Sequence, residues 1–249
     1  MAFRYFMRLA YNGAPFHGWQ SQPNAVSVQE VLERALSTVL RADIKITGAG
    51  RTDTGVNAKT MVAHFDLEEP IKDSYRFLRA INSLSGKDIV VDAVTEVAPD
   101  AHARFDAVKR TYKYFIATKR SPFAYPFCWY PGFQLDVEAM NRAASRLGDY
   151  IDFTSFSKLH TDVMTNNCRI DYAKWEVSGD YLVFTISADR FLRNMVRAIV
   201  GTLVDVGRHK LTEEQFCEII EKKNRCDAGA SVPGNALFLW DVEYPYPLF

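Results

Sequence analysis

Short stretches of alternating hydrophobicity are interleaved with amphipathic helical stretches along the whole chain, and no apolar run approaches the ~18 residues that an ordinary membrane span needs. The clearest helical stretch opens at Ser27, where Val28, Val31, Leu32, Ala35, Leu36, Val39 and Leu40 recur at i, i+3 and i+4 and give one apolar face. Ser27 and Glu30 have the spacing of a capping box. Around it, residues 3–10, Ile44–Thr47, Met61–Leu67 and Ile89–Val97 read as strands, and Asp73–Leu84 reads as a helix stopped by Gly86. The second half repeats the style. A strand over Ala107–Ala117 is followed by a Pro/aromatic loop, Ser121–Phe133, and by a helix capped by Asp136 and running to Leu147. Strands near Tyr172–Val177 and Tyr181–Ser187 precede a helix over Leu192–Val206 that ends at Gly207. A second capping box, Thr212 with Gln215, starts another helix, and Ala236–Tyr244 reads as a last strand. Antiparallel-looking strands mixed with helices in both halves predict an α+β chain rather than a doubly wound sheet. The boundary is expected near residue 104, giving subdomains 1–103 and 104–249 that share a core, with no Gly/Ser or Pro linker between them.

Lysine plus arginine (30) balances aspartate plus glutamate (30), so any attraction to nucleic acid must come from local patches. Two such patches stand out. Between Arg104 and Arg120 six basic residues (Arg104, Lys109, Arg110, Lys113, Lys119, Arg120) meet one acid, Asp106, with Tyr112, Tyr114 and Phe115 among them. Basic charge interleaved with aromatics is the footprint of RNA binding. A second group, Arg190, Arg193, Arg197, Arg208, His209 and Lys210, brackets the late helix. Cys128, Cys168, Cys217 and Cys226 form no CxxC pair, and His17, His64, His102, His160 and His209 no HxxxH spacing, so neither zinc nor a disulfide framework is expected. Reduced, mostly buried thiols and a start without a signal peptide suit a cytoplasmic protein.

The stretch richest in chemistry is Gly48-Ala-Gly-Arg-Thr-Asp-Thr-Gly55. Its glycines permit positive φ and close approach by another chain, and they frame Arg51 and Asp53 between two predicted strands. The spacing fits neither a P-loop nor a dinucleotide-binding turn. Taken alone it reads as a tight turn with a surface ion pair.

The longer segment GAGRTDTGVNAKTMVAHFD resembles the catalytic motif of the TruA family of tRNA pseudouridine synthases, usually GRTDxGVHAxxQVxHF. Further blocks agree in the same order: Gly18-Trp-Gln-Ser-Gln-Pro23, Ser27-Val-Gln-Glu30, His102-Ala-Arg-Phe105, Arg110-Thr-Tyr-Lys-Tyr114, Asp152-Phe-Thr-Ser-Phe156 and Phe191-Leu-Arg-Asn-Met-Val-Arg197. The resemblance spans almost the whole chain. It implies the pseudouridine synthase fold, in which two mixed subdomains share an extended, largely antiparallel sheet with the catalytic cleft between them. It also implies isomerisation of uridines 38, 39 and 40 in the tRNA anticodon arm, no cofactor and no metal, and a homodimer whose two subunits one tRNA spans.

By the same resemblance Asp53 is the catalytic aspartate. A carboxylate is charged near neutrality and can capture the electron-poor sugar left when a C–N glycosidic bond breaks. Attack at C1′ and removal of a sugar proton to give a glycal both remain open. Tyr112 would stack on the target base, Arg197 would pair with Asp53, and Arg51 would enter the RNA beside the flipped nucleotide; core packing for Tyr112 and a helix-surface position for Arg197 are the plain readings. His102, Arg104, Phe105, Lys109, Arg110 and Arg169 are the expected RNA contacts. The sequence departs from the family at Asn57, where His is usual, at Met61 for Gln, at Arg190 for Gly, and at Val232–Leu237 for an APxxGL-like run. Two rivals are a non-catalytic tRNA-binding protein of the same fold and a nucleoside or glycoside hydrolase. Hydrolysis calls for a second carboxylate flanking the bond, and the Gly48–Gly55 loop holds none besides Asp53.

Overall fold

The computed structural model describes residues 3–158 and 165–249. The chain divides into two compact units, Met1–Val108 with Leu239–Phe249, and Lys109–Phe238. Both are α+β.

In the first unit β1 (Phe3–Tyr11) lies between β3 (Asn57–Leu67) and β4 (Ile89–Val97), antiparallel to each. A two-residue strand, β2 (Thr47–Gly48), pairs antiparallel with β3. Helices α1 (Val28–Leu40) and α2 (Ser74–Ser85) pack on one another, and α2 also packs on β4. The alternation of β1 explains both faces of this sheet. Tyr5 stacks on Phe65, which stacks on Phe77 of α2, so one face is closed by helix. Phe6 points the other way, against His64 and Tyr244, so the C-terminal segment covers the opposite face. Two ion pairs flank it, Arg4 with Asp66 at 2.7 Å and Arg8 with Asp92 at 3.0 Å.

In the second unit β7 (Tyr181–Ala188) lies between β5 (Lys109–Ala117) and β6 (Ile170–Ser178), again antiparallel. The register puts Tyr114, Phe184 and Trp175 side by side, all buried; α3 (Val137–Ser145) packs on β6, and α4 (Met195–Gly207) packs on α3. Helix α4 is buried nearly all round, which its apolar sequence requires. Gly201 is needed there, because a Cβ would lie 1.9 Å from the Ala230 carbonyl oxygen. Helix α5 (Glu213–Glu221) starts at a complete capping box, Thr212 with Gln215. The last strand, β8, is Leu237–Glu243.

Several expected boundaries shift for local reasons. Ile44–Thr47 is not a strand up to Ile46, because α1 side chains satisfy its backbone: Ile44 N–H donates to Ser37 and Ile46 N–H to Glu33, while Gln29 donates to the Ile46 carbonyl. The helix expected from Leu192 starts at Met195, since Asn194 sits in the left-handed region at φ 66°. The helix from Asp136 gives way after Ser145 to a 3₁₀ turn, Arg146–Asp149. Of the four thiols, all unpaired, Cys128 and Cys168 are buried, but Cys217 is half-buried and Cys226 exposed.

Candidate functional site

The Gly48–Gly55 loop leaves β2 and returns to the sheet at β3. A neighbouring segment sets its path. Gly18 has φ 92°, and a Cβ there would lie 2.5 Å from the Thr52 carbonyl oxygen and 3.2 Å from the Asp53 carbonyl carbon, so a side chain would be strained and displaced. Trp19 N–H donates to the Thr52 carbonyl at 3.2 Å. Its ring packs against Gly48, where a Cβ would meet ring atoms at 2.6 Å. Gly55 N–H reaches the Phe16 carbonyl at 3.4 Å, and Val56 N–H turns back to the Asp53 carbonyl at 3.1 Å. The buried Thr52 hydroxyl shares a 2.8 Å hydrogen bond with that of Tyr11. Asp53 is thereby half-buried within a loop pinned on both sides, while Arg51 is exposed.

Gly48 serves close approach and Gly55 a positive φ of 75°, as the motif leads one to expect; Gly50 needs neither, and a Cβ there would meet nothing within 4 Å. Asn57 is 1% exposed, and its side-chain oxygen accepts the Gly13 N–H at 2.8 Å. That departure from the family pattern is therefore part of the loop's support. Gly18, Trp19 and Tyr11 have no role assignable from their spacing, because what they do is hold the loop, through Gly48 and Thr52, from a distance in sequence.

The His102–Phe105 block forms a rigid turn in the same unit. Arg104 and Phe105 N–H both donate to His102 Nδ1, at 3.1 and 3.3 Å, and His102 N–H donates to Asp106 at 2.8 Å. The His102 ring lies between Phe105, 4.2 Å away, and His64, 4.6 Å away. His64 Nδ1 in turn accepts the Ala103 N–H at 3.1 Å. Burial, then the neighbouring His102, pushes the His64 imidazole down to about 4. The N–H of His102, then the Tyr246 hydroxyl, hold the Asp106 carboxyl below its ordinary range. Phe105 stays 75% exposed with the Arg104 guanidinium over its ring, a surface suited to stacking on a base.

In the second unit Tyr112 is half-buried on β5, pairs with Ile186 across the ladder, and meets the Phe191 ring edge-on at 5.1 Å. Arg110 donates to the Asp189 carbonyl at 2.8 Å, while Lys109 and Lys113 are half-buried on the same strand. Arg197, in the first turn of α4, donates through Nε to the Val232 carbonyl at 2.7 Å, and Val232 N–H returns to the Arg197 carbonyl at 3.2 Å. The Tyr114 hydroxyl takes the next carbonyl, Pro233, at 3.1 Å. Segment 232–233 is thus the clamp that aims Arg197. Arg169 is exposed and paired with Asp171 at 3.1 Å.

A cavity of about 380 Å³ adjoins the His102–Phe105 turn through Asp106; it is lined by Glu96, Asp100, Asp106 and Tyr246 among others, and its acidic wall is unsuited to phosphate. Among the described residues no three His, Cys, Asp or Glu side chains are grouped to hold a metal ion; His160 lies outside the described residues. Nor is any described helix long and apolar enough to cross a membrane.

Residues 9–106 and 147–245 match the tRNA pseudouridine synthase family. The tRNA pseudouridine synthase A of Parabacteroides distasonis is 58% identical over 246 residues, covering 99% of this chain and 98% of that protein. That of Porphyromonas gingivalis is 51% identical over 250 residues, covering 99% of both. At greater distance, that of Colwellia psychrerythraea is 40% identical over 244 residues, covering 97% of this chain and 94% of that protein.

Proposed function

The chain belongs to the tRNA pseudouridine synthase family, and on that premise we propose that it modifies uridines 38, 39 and 40 of the anticodon arm, with Asp53 as the nucleophile. It isomerises uridine to pseudouridine in tRNA. In that reaction the N1–C1′ bond breaks, the uracil turns, a C5–C1′ bond forms, and the C5 proton leaves as N1 gains one. Mass and redox state are unchanged, so the chemistry asks for positioning and charge rather than a cofactor.

The observation that carries the reading is the pinned loop. A carboxylate that must meet C1′ or a ribose proton gains from a backbone that does not need ordering at the moment of reaction. Asp53 meets the sugar, Arg51 enters the RNA beside it, and Tyr112 stacks on the extruded base, which offsets the few kcal/mol that flipping costs. Arg197, its Nε fixed on the Val232 carbonyl, pairs with Asp53 through a charge-assisted bond. His102, Arg104, Phe105, Lys109, Arg110 and Arg169 contact the RNA. The enzyme works in the cytoplasm, where its substrate is, as a homodimer.

The test is to incubate the protein with an anticodon stem-loop carrying uridines at 38–40 and map pseudouridine by carbodiimide-dependent reverse-transcription stops. Stops are expected with the wild type and none with Asp53→Ala, while RNA affinity changes little. Stops that persist in the variant would remove Asp53 from the chemistry, and free uracil in solution would indicate a hydrolase.

A further inference from the structure

Helix α2 presents a face that the chemistry above does not use. Its inner side is anchored by the buried Phe77, Ile81 and Ser85. Its outer side carries Tyr75, 72% exposed, with Arg76 and Arg79, both exposed; exposed Lys72 stands just before the helix at the same spacing. These positions, 72, 75, 76 and 79, follow the i, i+3, i+4 rule and form one stripe. The helix holds no aspartate or glutamate. The nearest carboxylate in sequence, Asp73, accepts the Arg76 backbone N–H as the helix cap. Neither Arg76 nor Arg79 has a carboxylate partner among the described residues, whereas Arg4 and Arg8 of the same unit each do. Arg79 lies over the Tyr75 ring at 5.8 Å, and Tyr75, Arg76, Arg79 and Ala80 line a shallow depression of about 310 Å³. In a chain of zero formal net charge such a stripe is a local concentration rather than part of a general field.

We infer that this stripe binds the ribose-phosphate backbone of the RNA substrate at a place beyond the nucleotide being modified. The inference rests on the reading of the protein as a tRNA-modifying enzyme. Unpaired guanidiniums beside an exposed aromatic match phosphates flanked by sugar and base edges, and they match no apolar partner. Position argues for a remote contact. Helix α2 meets β3 where Phe77 stacks on Phe65, near the end of that strand, whereas the Asp53 loop enters β3 at its start, Asn57. The stretch of strand from Asn57 to Phe65 spans about 26 Å, and the helix layer lies roughly 10 Å off the sheet. A nucleotide held at Asp53 cannot itself reach the stripe; a longer RNA can.

The experiment compares the wild type with Arg76→Gln/Arg79→Gln, binding an unmodified full-length tRNA transcript and an isolated anticodon stem-loop across a salt series. Both substitutions are at exposed helix positions and keep good helix formers. Affinity for the full-length tRNA should fall roughly tenfold, and the slope of log affinity against log salt should shrink by roughly two, one phosphate per arginine. Stem-loop affinity and pseudouridine formation on the stem-loop should not change. Unaltered affinity for full-length tRNA would overturn the inference and leave an acidic protein as the occupant. Equal weakening toward both RNAs would also overturn it, since a remote contact cannot weaken the short RNA. Because binding is read without turnover, a failure of the wild type to form pseudouridine would sink the enzymatic reading separately.

Discussion

At Gly18 one hydrogen atom stands where any other residue has a carbon, and the Asp53 loop depends on it. Alanine there must hold φ near 92°, costing roughly 1–2 kcal/mol, and must push the Thr52 carbonyl away from its 2.5 Å contact. The loop would move by a few tenths of an ångström or more, enough to misplace a reacting carboxylate. Gly18→Ala is expected to lower turnover on the order of 10²-fold and to lower the thermal midpoint, with the circular dichroism spectrum kept. Gly50→Ala is the control, since its site is open and its φ is not positive; its stability should be unchanged or higher by up to about 1 kcal/mol. Equal behaviour of the two variants would refute the account of the loop. Here the sequence was legible in part. The glycines mark a special backbone, and two of the three in the motif prove necessary, but that Gly18 and Trp19 press on Thr52 depends on a tertiary contact with no local signature.

Elements were legible where a side-chain period and a cap agree. Helix α1 runs from Val28 with Ser27 accepting the Glu30 N–H, and α5 begins at its capping box. They were illegible where side chains take over backbone duties, as Gln29, Glu33 and Ser37 do for Ile44 and Ile46. Histidines do the same in the turn that carries Phe105. His64 Nδ1 and His102 Nδ1 are both acceptors of backbone N–H groups, so a proton on either nitrogen removes an acceptor. His64 is held down to about 4, against about 6.5 in an unfolded chain. Between those values the unfolded state takes up the proton and the folded state does not, so stability falls as pH drops through the window, by up to about 3 kcal/mol from this group. Asp66 and Asp106, held low, lose their contribution only below the ordinary carboxylate range, so the two effects separate. Chemical denaturation between pH 7 and 4.5 should show the loss, and His64→Asn, which keeps an acceptor without titrating there, should reduce it, with His102, itself lowered chiefly by burial, supplying what remains. An unchanged slope in the variant would exclude His64 as the source.

Across the whole molecule the chain closes on its own beginning. The alternation before residue 244 announces a final strand, but the surface on which the tail beyond it settles is chosen by long-range contacts that leave no periodic trace. In the structure Leu239–Phe249 counts with the first unit. Tyr244 sits edge-on to Phe6 at 5.5 Å and donates its hydroxyl to the Ala103 carbonyl at 2.6 Å. Tyr246 donates to Asp106 at 2.7 Å, and Phe249 lies under the Arg8 guanidinium at 5.0 Å. The last residues therefore roof the sheet face opposite α2 and brace the His102–Phe105 turn from behind. Ending the chain after Glu243 removes this aromatic cover and two hydrogen bonds, a loss on the order of 3 kcal/mol. It also releases Asp106, whose hold on the His102 N–H would then stand alone. The truncated protein is expected to unfold at lower temperature and to bind RNA more weakly through a loosened Phe105, with Tyr244→Phe giving a smaller shift, about 1 kcal/mol, from the orphaned Ala103 carbonyl. If hydrogen exchange of β1 and of residues 102–106 were as slow in the truncated protein as in the intact one, the tail would be an ornament and not a brace.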